Sequence, residues 1–302
     1  MKPRVLVLLA AYNGMRWIAS QVDSILNQRG VQVTILLSVD KSSDGTERWA
    51  TELALNNPRV ICLDHGFVFG GASANFFRLI KEADLNGYDY YSFSDQDDLW
   101  NPDKLVTAIA EIQLNAADAY SSNVTAFWDS GCTKEIIKSQ PQVEFDYLFE
   151  AAGPGCTYVF TNKFFKFIHL HVLNHSIELQ TITLHDWYCY ALCRANGYTW
   201  FIHNISSMLY RQHESNQVGV NSGFDAFKNR TVIFLDGWLL NQSVAISDIV
   251  GMSSSAFVRS WAPLQRADLI RLAFSGWKCR RRLRDKVVFS LFCIMLSLYG
   301  LR

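Results

Sequence analysis

The sequence predicts an α/β protein: a mainly parallel, Rossmann-like sheet flanked by helices, followed by a helical C-terminal extension. Strand-like and helix-like segments alternate through the N-terminal third, the pattern of parallel sheets covered on both faces. Polar clusters fall directly after three strand-like runs, where open α/β sheets bind their ligands. Beyond Phe224 the alternation stops and helical spacing takes over.

Val5–Ala11 is aliphatic, ends at Asn13-Gly14 and reads as the first strand. Trp17–Asn27 follows as a helix, with Ile18, Val22, Ile25 and Leu26 on one face. Val31–Val39 is a second strand, Asp40–Thr46 a polar loop, Glu47–Asn56 a helix and Arg59–Leu63 a third strand. Gly70-Gly71 opens a helix over Ala72–Ala83; Tyr88–Ser94 is a fourth strand, and Pro102–Leu114 a helix with proline near its start. Ala119–Trp128 then reads as one strand, and Gly153-Pro154-Gly155-Cys156 as a turn before a strand at Tyr158–Phe160. Phe164–Leu173 and His185–Ala195 read as helices, Tyr198–Ile202 as a strand and residues 209–223 as a polar loop. The expected division is 1–225, with halves at 1–115 and 116–225, and a helical region at 226–302.

Lys+Arg and Asp+Glu both number 28, so the charge balance offers no electrostatic case for a nucleic-acid partner. Seven cysteines, scattered and without a CxxC pair, fit a reducing compartment. The apolar run at the N-terminus suits a buried strand better than a signal peptide, so cytoplasmic residence is expected. Val287–Leu301 is almost wholly apolar but holds 15 residues, short of the roughly 20 a membrane span needs. Beside the basic cluster at 278–286 it reads first as a helix lying on an acidic membrane surface. A helix docked on the core, or a dimer contact, are the other readings.

The densest chemistry lies in Tyr88–Trp100, where a strand runs into Asp95, Asp97 and Asp98. Carboxylates so close repel one another and resist burial, so a counter-charge is expected. On an extended backbone Asp95 and Asp97 share one face while Gln96 points away. Hard oxygen ligands at this spacing suit Mg2+ or Mn2+ beside a substrate phosphate, although a solvated acidic turn has the same composition. Asp44 and Ser42 read as an Asx-type turn. Asp186 stands at a helix start, where it is either a base or a cap. Arg211 is placed to pair with a phosphate or a carboxylate, Asn75 to contact a ligand or cap its helix, and Gly153-Pro154-Gly155 to allow close backbone approach.

Ala11-Tyr12-Asn13-Gly14, Ser42-Ser43-Asp44-Gly45-Thr46 and Asp95-Gln96-Asp97-Asp98-Leu99-Trp100, in this order, resemble the inverting family 2 glycosyltransferases. His185-Asp186-Trp187 and Tyr210-Arg211-Gln212-His213-Glu214-Ser215-Asn216 are similar to the rhamnosyltransferase-like branch, whose members often donate from dTDP-L-rhamnose to polysaccharide precursors. The resemblance implies the A-type nucleotide-diphospho-sugar transferase fold, a nucleotide-diphospho-sugar donor, and a lipid-linked or oligosaccharide acceptor. It implies that Tyr12 and Asp40 hold the base, with Ala11, Asn13, Asn75, Gln96 and Arg211 also on the donor side. Asp95 would meet the ribose or metal, Asp97 and His213 the metal, and Asp186 would be the general base. Two positions depart from the pattern: Lys41 replaces a common Gly after the single acid Asp40, and Glu214 stands where Gly is frequent. A UDP-sugar hexosyltransferase, a nucleotidyltransferase and an inactive carbohydrate-binding scaffold are the competing functions.

Overall fold

In the run Arg4–Ala11 every residue from Val5 onward is buried, as only a central strand covered on both faces allows. The computed structural model describes residues 1–213 and 237–300. It sets this strand, β1, between β2 (Gln32–Val39) and β4 (Tyr90–Ser94), parallel to both. β3 (Val60–Cys62) extends the sheet beyond β2. On the other side come β9 (Val159–Thr161), β6 (Ala119–Ser122) and β10 (Trp200–His203), giving the order β10-β6-β9-β4-β1-β2-β3. Only β9 runs against its neighbours, so the sheet is mixed but mostly parallel.

The two faces of β1 feed two cores. Leu6, Leu8 and Ala10 join one cluster, and Val5, Val7, Leu9 and Ala11 the other, as period-two alternation requires. The second cluster is covered by α1 (Ile18–Leu26), α2 (Thr46–Asn56) and α4 (Lys104–Leu114). The first is covered by α3 (Ala72–Glu82), α5 (Asn162–Asn174), α6 (His185–Ala195) and the C-terminal helices.

Two expectations need correcting. Ala119–Trp128 is two strands rather than one, because the chain changes sheets at Asn123. The Asn123 amide donates to the Asn204 carbonyl (2.8 Å) and accepts from the backbone N–H groups of Lys138 (2.7 Å) and Ser139 (3.1 Å). The chain then enters a second, four-stranded sheet: β5 (Leu99–Trp100), β11 (Met208–Arg211), β7 (Val124–Phe127) and β8 (Thr133–Ile136). Local pattern did not anticipate this sheet, whose strands are at most four residues long.

The second correction concerns the basic cluster. Arg280 and Arg281 are not offered to a surface: their side chains are 17% and 2% exposed and pair with Glu150, and Arg281 also with Asp146. The final helix, Leu283–Tyr299, packs Phe289, Cys293 and Leu296 into the same core as Phe93 and Trp187, so one of its faces is docked. No helix among the described residues is long and apolar enough to cross a membrane. All seven cysteines are free thiols. Residues 209–211, expected in a polar loop, are instead part of β11, paired with β5 and β7, while the 225/226 boundary and residues 214–223, with Glu214, Ser215 and Asn216, lie outside the described residues.

Candidate active site

β1, β2 and β4 run in register and end side by side, so the segments that follow them meet at one edge of the sheet. Asn13, at φ 46°, turns the chain away from β1. Its N–H donates to the Ser42 hydroxyl (3.0 Å), and its side-chain oxygen accepts from the Ser43 N–H (2.8 Å). Asp44 accepts from the N–H of Met15 (2.9 Å) and of Thr46 (3.0 Å), which makes it the expected Asx turn. Burial opposes its ionisation, but the Thr46 and Met15 hydrogen bonds outweigh that and hold its carboxyl below the usual range.

Gln96 joins the β4 end to the β1 end. Its amide nitrogen donates to the Tyr12 carbonyl and its amide oxygen accepts from the Tyr12 N–H, both at 2.8 Å. A Cβ on Gly14 would collide with that amide, so glycine is needed there. Ala11 is buried, and its carbonyl accepts from the Asp40 N–H (2.8 Å). Asp40 in turn accepts from the N–H groups of Lys41 (2.8 Å) and Phe69 (3.0 Å). Asn75 is 2% exposed and caps no helix, since Gly71 holds that position in α3. Its amide instead donates to the Ser38 carbonyl (3.1 Å), beneath the strand ends. Within this frame Ala11, Asn13, Asn75 and Gln96 make framework hydrogen bonds, while the Tyr12 side chain stands 57% exposed at the rim.

The acidic segment is gathered rather than splayed. The second sheet pairs Leu99 and Trp100 with Leu209 and Met208, which carries the chain after β11 back over the aspartates. There His213 Nε2 lies 2.6 Å from Asp97 Oδ2, the two side chains only 12% and 13% exposed. Arg211 donates its Nε–H to the Asp97 carbonyl (2.8 Å) and its backbone N–H to Asp98 (3.2 Å). Asp98 is fully buried, its other oxygen has no hydrogen-bond partner among the described residues, and the Cys156 thiol lies beside the carboxyl. Oxygens of Asp95 and Asp98 and the Cys156 sulfur lie within 4.8 Å of one another. Burial, then Asp97 and Asp186, push the Asp95 carboxyl up to about 7. Burial, then Asp97 and Asp95, raise Asp98 well above the carboxylate range. The donor set fits a divalent cation. Acids from the β4 end and an imidazole from the late loop converge, and the carboxylates raise one another, the electrostatic setting a cation would relieve.

Asp186 adjoins this cluster, close enough to raise Asp95. It is not the cap of α6, because Leu184 occupies that position; its carboxylate accepts from the Trp187 N–H (2.7 Å) within the first turn. Burial pushes Asp186 up to about 6. Gly155 explains the close approach: a Cβ there would lie 2.9 Å from His185 Nε2 and 3.1 Å from the Asp186 Cβ. His185 stacks on Phe76, ring centroids 3.9 Å apart, and burial holds its imidazole down to about 3. It is a neutral packing ring beside Asp186.

Two residues escaped the sequence reading. Trp17 stacks on His213 with centroids 4.1 Å apart, and the Arg16 guanidinium lies 4.8 Å from its ring. Lys104 is fully buried beneath the acids, its Nζ 3.5 Å from the Trp100 ring centroid and without a hydrogen-bond acceptor among the described residues. Burial lowers it to about 7, against the pull of Cys156 and Asp98. A lysine on a face with Leu105, Ala108, Ile109 and Ile112 was the available signal.

The description "Glycosyl transferase family 2" matches residues 6–172. The dTDP-rhamnosyl transferase RfbG of Shigella flexneri is 41% identical over 288 residues, covering 95% of this chain and 99% of the relative. A UDP-Glc:alpha-D-GlcNAc-diphosphoundecaprenol beta-1,3-glucosyltransferase, WfaP of Escherichia coli, is 24% identical over 159 residues, 53% of this chain and 61% of the relative. S. aureus TarS in complex with UDP-GlcNAc shares the fold at a TM-score of 0.55 and 12% identity, over 98% of this chain and 92% of that one. The mannosyltransferase PcManGT of Pyrobaculum calidifontis, in complex with GDP-Man and Mn2+, shares it at 0.54 and 14%, over 100% and 89%. These strand ends, with Asp97 against His213 and Asp186 alongside, belong to an A-type transferase fold, and the chain is a member of glycosyltransferase family 2 in its rhamnosyltransferase-like branch.

Proposed function

We propose that this glycosyltransferase moves L-rhamnose from dTDP-L-rhamnose, with inversion, to a lipid-linked or oligosaccharide acceptor in cell-surface polysaccharide synthesis. The near full-length relationship to a dTDP-rhamnosyl transferase supports the donor. The observation that carries the chemistry is the convergence of Asp97, His213, Asp95 and Asp186 at one strand edge.

The Tyr12 ring would lie against the base, and Asp40, steadied by two backbone N–H groups, would accept from it. Asp97 and His213 would hold Mg2+ or Mn2+, with Asp95 beside them. When bound, the ion supplies a Lewis acid that neutralises the leaving diphosphate. Asp186 takes the proton from the acceptor hydroxyl as that oxygen attacks the anomeric carbon from the face opposite the diphosphate. Its raised pKa makes it a stronger base than an exposed aspartate, while neutral His185 leaves the proton to it. The transition state is oxocarbenium-like, as in glycoside hydrolysis, and inversion needs one base and no covalent intermediate. The place that goes with such acceptors is the cytoplasmic face of a membrane.

The test is a thermal-shift panel of dTDP-rhamnose, UDP-glucose and GDP-mannose, each with and without Mn2+. Selective stabilisation by dTDP-rhamnose, larger with the metal, is the expected result. Preference for UDP-glucose would move the chain to the glucosyltransferase reading, and stabilisation indifferent to Mn2+ would remove the metal role.

A further inference from the structure

The final helix, Leu283–Tyr299, is apolar on both faces, yet only one face is buried. Phe289, Phe292, Cys293 and Leu296 turn inward. Leu283, Val287, Leu291, Ile294 and Leu298, spaced four, four, three and four residues apart, form a stripe on the opposite face, each between 44% and 68% exposed. The patch continues onto neighbouring helices through Phe274, 82% exposed, and Trp277, 59% exposed, over whose ring Lys286 Nζ lies at 5.2 Å. A helix that is hydrophobic all round needs an apolar environment on both sides, and a contiguous exposed patch of this kind marks an interaction surface.

The charges beside the stripe say what covers it. The whole chain is balanced at 28 against 28, but residues 256–300 carry nine Lys and Arg against Asp268 and Asp285. Arg280 and Arg281 are consumed internally, and Lys278 meets Glu144 at 3.0 Å. Arg282, Arg284 and Lys286 sit at the start of the helix, the end whose partial positive charge disfavours cations. Among the described residues only Arg284 of the three makes an ion pair, with Asp285 at 3.1 Å. These three work against the helix they begin, so an external anion is their natural partner. A second copy of this chain would offer the stripe an apolar face, but the acids near it, Asp285 and Asp268, are already paired with Arg284 and Arg271, and residues 287–300 contain none.

We propose that this face docks on an anionic lipid bilayer, with the Leu283–Leu298 stripe in the acyl boundary and Arg282, Arg284 and Lys286 at the phosphates. Seventeen residues make a helix of about 25 Å, shorter than the hydrocarbon core, and its other face is fixed to the protein; it lies along the surface. The proposal deepens the lipid-linked acceptor reading and rests on it for purpose, not for its observations.

Deleting the helix would open the core, so the test uses exposed positions. The full chain is sedimented with vesicles of phosphatidylcholine alone or mixed with phosphatidylglycerol. Binding at least about tenfold stronger to the anionic vesicles, weakened by salt, is expected. Leu291→Gln with Leu298→Gln should abolish it, and Arg282→Gln with Arg284→Gln and Lys286→Gln should remove the preference for anionic lipid. Absence of binding, or binding that ignores both sets of substitutions, overturns the proposal. So does a dimer in light scattering that the two leucine changes dissociate while vesicles are ignored. Stabilisation by dTDP-rhamnose, measured on the same preparations, separates this outcome from failure of the donor reading.

Discussion

Two regions of this molecule bury aspartates, and they do so in opposite ways. Around Asp146 every negative charge is met from within the chain. Tyr190 donates to it at 2.8 Å, Arg194 at 3.1 Å and Arg281 at 3.2 Å, and burial raises its carboxyl only against the pull of Arg281 and Arg194. Around Asp95–Asp98 three carboxylates lie near Asp186, and among the described residues they are met by His213 at Asp97, the Arg211 backbone N–H at Asp98 and a buried Lys104 that is itself pushed toward neutrality. A buried acid whose charge is answered by its own chain is scaffold. A cluster of acids pushed upward by one another is what the proposed metal would complete.

The contrast can be broken most sharply at Asp186, the proposed base. Asp186→Asn keeps the shape and the first-turn acceptor but cannot take a proton; transfer should fall by about a hundred- to ten-thousandfold while the donor-induced thermal shift persists. Loss of the fold along with the rate would assign Asp186 to structure. Asp97→Ala should cost about a hundred- to a thousandfold in transfer and erase the Mn2+ dependence of donor binding, with metal-free melting unchanged or raised. An unaltered Mn2+ response would take Asp97 out of the metal site.

On the scaffold side the expected readout reverses. Asp146→Asn leaves Arg281, 2% exposed, with Glu150 as its remaining acid, and should lower unfolding free energy by about 3 kcal/mol in urea titration. Folded mutant should still respond to dTDP-rhamnose. A stable but donor-blind variant would place Asp146 in function instead.

The smallest effect is on pH. Asp186 and Asp95 bind protons more tightly folded than unfolded, at about 6 and about 7 against 3.8. The folded state therefore holds more protons across that window, and metal-free stability should fall as pH rises through it. Asp95→Asn should flatten the slope of melting temperature against pH, and added Mn2+ should recover more at the alkaline end. A slope of opposite sign would mean that the cluster is neutralised internally.

The readable parts of this chain are those whose cause is local. Period-two burial in β1, the Asx turn at Asp44 and the helix His185–Ala195 each follow from a few adjacent residues. Asp97 and His213 were paired through family resemblance, not spacing, for 116 residues separate them. The Asp146–Arg281 pair, 135 residues apart, had no such guide, and its arginine was read as membrane-facing charge. Asn123 looked like a strand interior because nothing nearby reveals that its amide will be claimed by Lys138, Ser139 and Asn204. Trp17 and Lys104 resemble core and surface residues until the second sheet folds over them.

Gln96 lets a side chain stand in for a peptide group: by presenting one donor and one acceptor to Tyr12, it adds a rung to a ladder whose strands have already ended. The loop that would cradle the base and the segment that would grip the diphosphate are thus tied by two hydrogen bonds. A glutamate at this position would lose the donor half of the rung and add a fourth negative charge where three already strain to coexist.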